Sequence, residues 1–237
     1  MALTNVKVTA QKLEKRKKRL KYTKRIVIIL FILLLAIFFV LMVIYKGGSF
    51  TVTLDPNFSL KSGLVLFEHL DNPEPKNRLY AKEIDFMDNI SVNWLPQNIN
   101  NEAEGAHNGE NYIAYTFYVG NHGKETINYW YQINILDVIK NVDEAIRIMI
   151  YQNNERIIYA KKNELTGNPE EGTTPFYSDD IAVLKQRKHI KPNENDKYTI
   201  VIYLEGDDPE CVDAIIGGEI KLKMEITEEH IENAKEK

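Results

Sequence analysis

Residues 26 to 45, IVIILFILLLAIFFVLMVIY, form an unbroken run without a charge, a side-chain amide or a proline. A helix of about twenty residues rises about 30 Å, the depth of a bilayer's hydrocarbon core. A core helix of a water-soluble domain would carry a polar stripe, and this run has none. The segment is expected to span a membrane and to stay in place as an anchor. A cleaved signal has a shorter apolar core and a small-residue site of the A-x-A kind. Here the run is followed by YKGGSF, where Gly47 and Ser49 match such a site poorly.

Charge sets the orientation. Residues 1 to 25 hold ten Lys or Arg against one acid, Glu14. Short flanks of this kind stay cytoplasmic, so the remainder is expected outside the cell membrane. The same basic run can lean on anionic lipid headgroups. The net charge of −4 hides the asymmetry: without those ten bases and one acid, 20 bases face 33 acids, a balance of −13. So acidic an outer part excludes nucleic acid as a partner. It suits a setting with divalent cations or basic partners. Cys211 is the only cysteine, which rules out an internal disulfide and leaves the outer part to be held by its core. The expected organisation is a basic tail (1–25), a transmembrane helix (26–45), an extracellular domain (46–227) and a polar C-terminal tail (228–237).

Beyond residue 50 the hydrophobic period is mostly two. In EIKLKMEIT, Ile220, Leu222, Met224 and Ile226 alternate with Lys221, Lys223 and Glu225, as in a strand with one buried and one wet face. YIAYTFYV places Ile113, Tyr115, Phe117 and Val119 on one side. INYWYQINI sets Ile127, Tyr129, Tyr131, Ile133 and Ile135 against Asn128, Trp130, Gln132 and Asn134. KYTIVIYLE is apolar on both faces, the mark of a central strand. FTVTLD, GLVLFEHL and YAKEIDFMDNISVNWL are weaker strand candidates. Gly120, Asn121 and Gly123 in VGNHGKET suit a hairpin, and Asn153-Asn154 a two-residue turn. The fold class is mainly β, an antiparallel sandwich of the jelly-roll or immunoglobulin-like kind behind one N-terminal helix. NVDEAIR reads as a helical turn or a crossing between sheets. Residues 163–180, NELTGNPEEGTTPFYSDD, form a longer polar connection than a minimal sandwich needs, and such loops tend to be functional or mobile.

Little chemistry stands out. His69, His107, His122, His189 and His230 fall in no H-E-x-x-H pattern, and neither a Gly-x-Ser-x-Gly elbow nor a phosphate loop is present. The densest polar stretch is GDDPECVDAIIGGE, residues 206–219. Asp207, Asp208, Glu210 and Asp213 are hard oxygen ligands of the type Ca²⁺ takes, although their spacing is not that of an EF-hand. The competing and preferred reading is a solvated connection between two strands, shaped by Pro209 and the glycines at 206, 217 and 218. Acidic neighbours would raise the Cys211 thiol rather than activate it, so Cys211 reads as a small apolar side chain. Trp130, on the polar side of its strand, is either an exposed strand position or part of a contact surface. Asn57 and Asn89 open glycosylation sequons that matter only in a eukaryotic host.

Two segments carry a family resemblance. YTFYVGNHGKETINYWYQINI, within residues 110–137, resembles a strand–N-x-G–strand segment of TasA/camelysin-type surface proteins of Gram-positive bacteria. YTIVIYLEGDDPECVDAIIGGEIKLKMEIT, within 196–227, resembles their closing strands with an acidic Asp-Pro-(Glu/Asp)-Cys loop. The resemblance covers about a quarter of the chain. It implies a jelly-roll-like sandwich displayed outside the cell, in a group associated with biofilm-matrix fibres and surface layers. Camelysin is described as a metalloprotease, but this chain has no recognisable zinc signature and that activity is not carried over. The basic tail and retained anchor also depart from matrix subunits that are released and polymerise.

The expected function is therefore that of a non-enzymatic, single-pass bacterial surface protein. Its outer sandwich contacts a surface or matrix protein, or another copy, through a strand edge or the 163–180 loop. The helix at 26–45 contacts lipid, and no cofactor other than Ca²⁺ is in view. The alternatives are a metal-dependent surface hydrolase, or an accessory or sensor subunit of a membrane complex.

Overall fold

The computed structural model of the chain describes residues 2–45, 49–55 and 63–229, with side chains at 13–40, 49–55 and 63–227. The chain divides into two compact units, Met1–Gly47 and Gly48–Lys237.

The first unit is one helix, α1 (Ala2–Tyr45). It starts well before the apolar run, because the Lys, Arg, Leu and Glu of the basic segment are good helix formers. Every side chain from residue 13 to 40 is exposed, Ile29 at 66% and Phe31 at 64% among them. Apolar groups around the whole circumference have no place in water. The described part, Leu13–Val40, is long and apolar enough to cross a membrane.

The second unit is a β-sandwich. In chain order its strands are β1 (Phe50–Leu54), β2 (Leu64–Phe67), β3 (Arg78–Tyr80), β4 (Asn89–Ile90), β5 (Gly105–Ala106), β6 (Tyr112–Asn121) and β7 (Ile127–Ile139). They continue with β8 (Ile146–Gln152), β9 (Glu155–Ala160), β10 (Thr174–Pro175), β11 (Ile181–Ile190), β12 (Asn195–Glu205) and β13 (Glu219–Glu229). One sheet has the order β11-β7-β13-β1-β3. The larger has β10-β9-β8-β12-β6-β2, with β4 added beside β12 and β5 beside β6. The long strands pair antiparallel, as expected. β1 with β13, β9 with β10 and β4 with β12 pair in parallel, so both sheets are mixed. These partners are joined by long stretches of chain rather than tight turns, which leaves strand direction free.

The alternating patterns assign the faces. Leu222, Met224 and Ile226 of β13 and Tyr129, Tyr131 and Ile133 of β7 enter the core between the sheets. From the larger sheet they meet Ile113, Tyr115, Phe117 and Val119 of β6 and Tyr198, Ile200 and Ile202 of β12. The opposite face of the larger sheet is covered too. There Ala114, Met149, Val201 and Tyr203 pack against Ile90 of β4 and Leu95 and Ile99 of the β4–β5 connection. This second cluster explains why β12, lying between β8 and β6, is apolar on both sides.

Two expectations are corrected. Residues 120–126 do not close a hairpin: β6 belongs to the larger sheet and β7 to the other, so the link crosses between sheets. Asn121, fully buried, fastens it, its amide donating to the carbonyls of Glu125 (2.8 Å) and Ile190 (3.0 Å). Beside this crossing Gly63 has a positive φ (+81°), and an added Cβ there would lie 2.4 Å from the Gly123 nitrogen. In addition, Glu228 and Glu229 are not tail; they finish β13 opposite Tyr129 and Asn128. Residues 230–237 and the Asn57 sequon lie outside the described residues. The Asn153-Asn154 turn joins β8 to β9, with Asn153 at φ +55°. NVDEAIR supplies both features read into it, a 3-10 turn at Val142–Glu144 within a crossing from β7 to β8.

A polar group ties the sheets through the core. The Tyr129 hydroxyl on β7 donates to Asp196 on β12 at 2.7 Å and lies 2.8 Å from the Tyr198 hydroxyl. Arg187 on β11 reaches the same carboxylate at 2.9 Å. Burial first, then the neighbouring Tyr and Asp groups, push Tyr129 well above the ordinary tyrosine range.

Candidate carboxylate cluster

The stretch 206–219 is the crossing from β12 in the larger sheet to β13 in the other. Its four candidate ligands separate. Asp207 and Asp213 are exposed. Asp208 turns inward, and its side chain is 0% exposed. It is held by Arg147, whose side chain is 4% exposed and whose Nη2 donates to Asp208 Oδ2. The other Asp208 oxygen accepts the Glu210 backbone N–H at 2.8 Å, and the Cys211 N–H closes a turn onto the Asp208 carbonyl at 3.0 Å. The Asp-Pro-Glu-Cys segment is thus wound around Asp208.

Glu210 is half-buried and faces the long loop. Its Oε1 accepts the backbone N–H of Glu164 at 2.6 Å. The same loop brings Glu170, so that Glu170, Asp208 and Glu210 each offer an oxygen within 4.8 Å of the others. Glu170 is held by its own turn: the Thr173 N–H (3.1 Å) and hydroxyl (2.8 Å) both donate to the Glu170 carbonyl.

Beside this trio stands a second charged group. Lys161, one residue past β9, pairs with Asp143 at 2.8 Å and with Glu144, both in the β7–β8 crossing. Burial raises Glu144 above the ordinary carboxylate range. Lys161 opposes the shift, and Asp143 and Glu210 add to it. Burial works to lower Lys161, but its hydrogen bonds to Asp143 and Glu144 outweigh that and raise it. A cleft of about 370 Å³ opens here, lined by Glu144, Lys161, Asn163, Glu164, Phe176 and Tyr177 among others.

The structure therefore keeps Asp208 and Glu210 of the expected set, sets Asp207 and Asp213 aside, and adds Glu170. Arg147 had a legible signal: in AIRIMIY it is the one charge in an apolar strand, and a buried charge needs a partner. Glu170 had none, since only the folded loop brings it to the β12–β13 crossing. Cys211 is half-buried, with the Asn89 amide 3.4 Å from its sulfur. Trp130 is 36% exposed on the polar side of β7, as its place in the alternation indicates.

No family model matches the chain, and no curated protein matches it. Among solved structures, β-glucosidase from Kluyveromyces marxianus is similar over 68% of this chain at 15% identity, both in its complex with glucose (TM-score 0.22) and in a selenomethionine-labelled form (TM-score 0.24). This chain spans 15% and 16% of the length of those two chains. Likenesses at that level assign neither fold nor activity.

Proposed function

We propose that the chain is a single-pass, membrane-anchored surface protein whose outer sandwich makes protein or matrix contacts and performs no catalysis. The observation that carries this reading is a helix exposed on every side from 13 to 40, joined to an acidic domain with a core of its own. The basic flank supports an N-terminus in the cytoplasm and a sandwich outside the cell membrane. The resemblance of residues 110–137 and 196–227 to TasA/camelysin-type surface proteins supports the same role.

Of the two contact modes, strand edge or loop, the edges favour the loop. Edge strands β3, β10 and β2 are three, two and four residues long, and in β2 the Leu66 carbonyl already accepts the Lys76 N–H at 2.8 Å. The long edge strand β11 carries Lys185, Arg187 and Lys188, charges that discourage edge-to-edge pairing. Loop 163–180 instead displays Leu165 (91% exposed) and Tyr177 (66%). It is pinned by the Glu164–Glu210 hydrogen bond and by the pairing of β10 with β9. Apolar anchors on a pinned segment lose little entropy on binding. Crosslinking and pull-down of the full chain from intact cells tests this. Capture of a surface or matrix protein is expected, falling about tenfold in the Leu165→Ala/Tyr177→Ala variant. Capture unchanged in that variant, or no membrane association of the chain, would overturn the reading.

A further inference from the structure

We propose that one end of the sandwich rests on the lipid surface of the membrane through Ile139, Val212 and Ile216. The inference depends on the anchored reading above, but not on which side of the membrane the domain faces. In sequence, four residues separate Tyr45, the last of α1, from Phe50, the first of β1. Five Cα-to-Cα steps span at most about 18 Å, whatever path they take. The chain therefore passes from the apolar run into β1 over a very short tether, and the end of the sandwich that holds Phe50 is kept close to the headgroups.

Strand pairing says what else lies at that end. Phe50 stands opposite Leu222, whose N–H donates to the Ser49 carbonyl at 2.8 Å. Because β1 runs parallel to β13, the start of β13, the end of β7 and the β12–β13 crossing share the end where the chain enters. Ile139 closes β7 opposite Glu219, and its carbonyl lies 2.8 Å from where a Cβ on Gly218 would be. Lys140 Nζ donates to the Ile216 carbonyl at 2.5 Å. In the crossing, the 3-10 turn Asp213–Ile215 sends Ile215 inward and leaves Val212 and Ile216, one on each side of it, outside. Ile216 is 63% exposed, Val212 51% and Ile139 41%. Scattered apolar side chains on a surface need no explanation, but three on adjoining segments at the tethered end do. Charge selects the kind of surface. Asp137, Asp213 and Glu219 lie around the three, against Lys140 and Lys221. That balance gives no attraction to anionic lipid, so the contact depends on apolar insertion and is open to zwitterionic lipid. Tethering supplies the rest, since a contact too weak to hold a free domain becomes effectively intramolecular once the chain is anchored.

The test uses the full chain reconstituted in phosphatidylcholine vesicles, with Cys211→Ser and one new thiol carrying an environment-sensitive fluorophore. Ile216→Cys reports on the patch. Asn154→Cys, in the β8–β9 turn at the opposite end, is the control. Lipid brominated near the headgroup end of its acyl chains should quench the label at 216 about twofold, because interfacial apolar groups sit about 5–10 Å into the headgroup boundary. The label at 154 should be unaffected. Adding Ile139→Ser/Val212→Ser to the Ile216→Cys chain should remove most of the quenching. Chain that floats with the vesicles but shows no quenching at 216, equal quenching at both positions, or quenching that the serine variant retains overturns the inference and leaves the anchor standing. Chain that does not float after a carbonate wash overturns both. A label at 216 shielded from brominated lipid in a chain that is dimeric in detergent assigns the face to a second copy, and the inference fails. Should the serine variant not fold, the comparison of 216 with 154 decides alone.

Discussion

The guanidinium of Arg147 on β8 and the carboxylate of Asp208 in the β12–β13 crossing form an ion pair with both side chains almost wholly withdrawn from water. Alternation puts Ile146, Ile148 and Ile150 in the inter-sheet core and Arg147 on the outer face of the larger sheet, beside Met149. Removing one member strands the other charge in a low-dielectric setting, which costs about 3–5 kcal/mol. Asp208→Ala should therefore lower the melting temperature on the order of 10 °C. The double variant Arg147→Met/Asp208→Leu should recover a large part of that loss. Thermal melts of the three chains under one set of conditions check both statements.

The tyrosine–aspartate contact through the core should behave differently. Tyr129→Phe deletes one hydroxyl but leaves Asp196 with Arg187 at 2.9 Å and the Asn153 amide at 3.1 Å. A loss of about 1–3 kcal/mol is expected, below that of Asp208→Ala. Asp196→Ala should exceed Tyr129→Phe, because it unties Tyr129, Arg187 and Asn153 together.

Stability should fall toward both pH extremes for separate reasons. Burial, then neighbouring acids and tyrosines, raises Tyr115, Tyr129 and Tyr131 above the ordinary tyrosine value. A raised folded value means the stabilisation is complete below about pH 10 and is lost as pH climbs through it. Tyrosinate absorbance should therefore rise together with the loss of β-sheet circular dichroism. On the acid side, burial pulls Glu68 upward, but hydrogen bonds from Lys76 and Tyr115 outweigh it and hold the carboxyl low. Glu225 is likewise lowered against its burial by Lys223, Gln132 and Asn134. Their stabilisation is present above about pH 4.5 and fades as pH drops. Glu144 has the opposite sign, since its raised value favours the protonated form.

Gly63 and Gly172 share positive φ, +81° and +70°, but only Gly63 has backbone where a Cβ would go. Gly172→Ala should cost about 1 kcal/mol from conformation alone. Gly63→Ala should cost more, because the β6–β7 crossing at Gly123 must shift. Equal melting temperatures for the two variants would contradict this packing.

What was legible in the sequence followed from local periodicity. The long apolar helix, the alternation of β7 and β13 and the double-sided burial of β12 were all readable from side-chain order. Sheet membership was not: Asn121 and Gly123 look like hairpin residues whether the chain turns back or crosses over, and only the partners of β6 and β7 distinguish the two. The carboxylate cluster was half readable for the same reason. Asp208 and Glu210 are neighbours in sequence, whereas Glu170 and Arg147 arrive through tertiary contacts. The parallel pairing of β1 with β13, about 170 residues away, leaves no local signature at all.

The central claim, an anchored chain with its sandwich outside the cell, is tested most directly by cysteine labelling. Tyr177→Cys, placed at a position 66% exposed, is combined with Cys211→Ser to leave a single thiol. Intact cells are treated with a membrane-impermeant maleimide, and the membrane fraction is resolved by size. The expected result is full-length, membrane-bound chain labelled before lysis. Labelling only after lysis, or a shortened labelled product in the medium, would contradict the account.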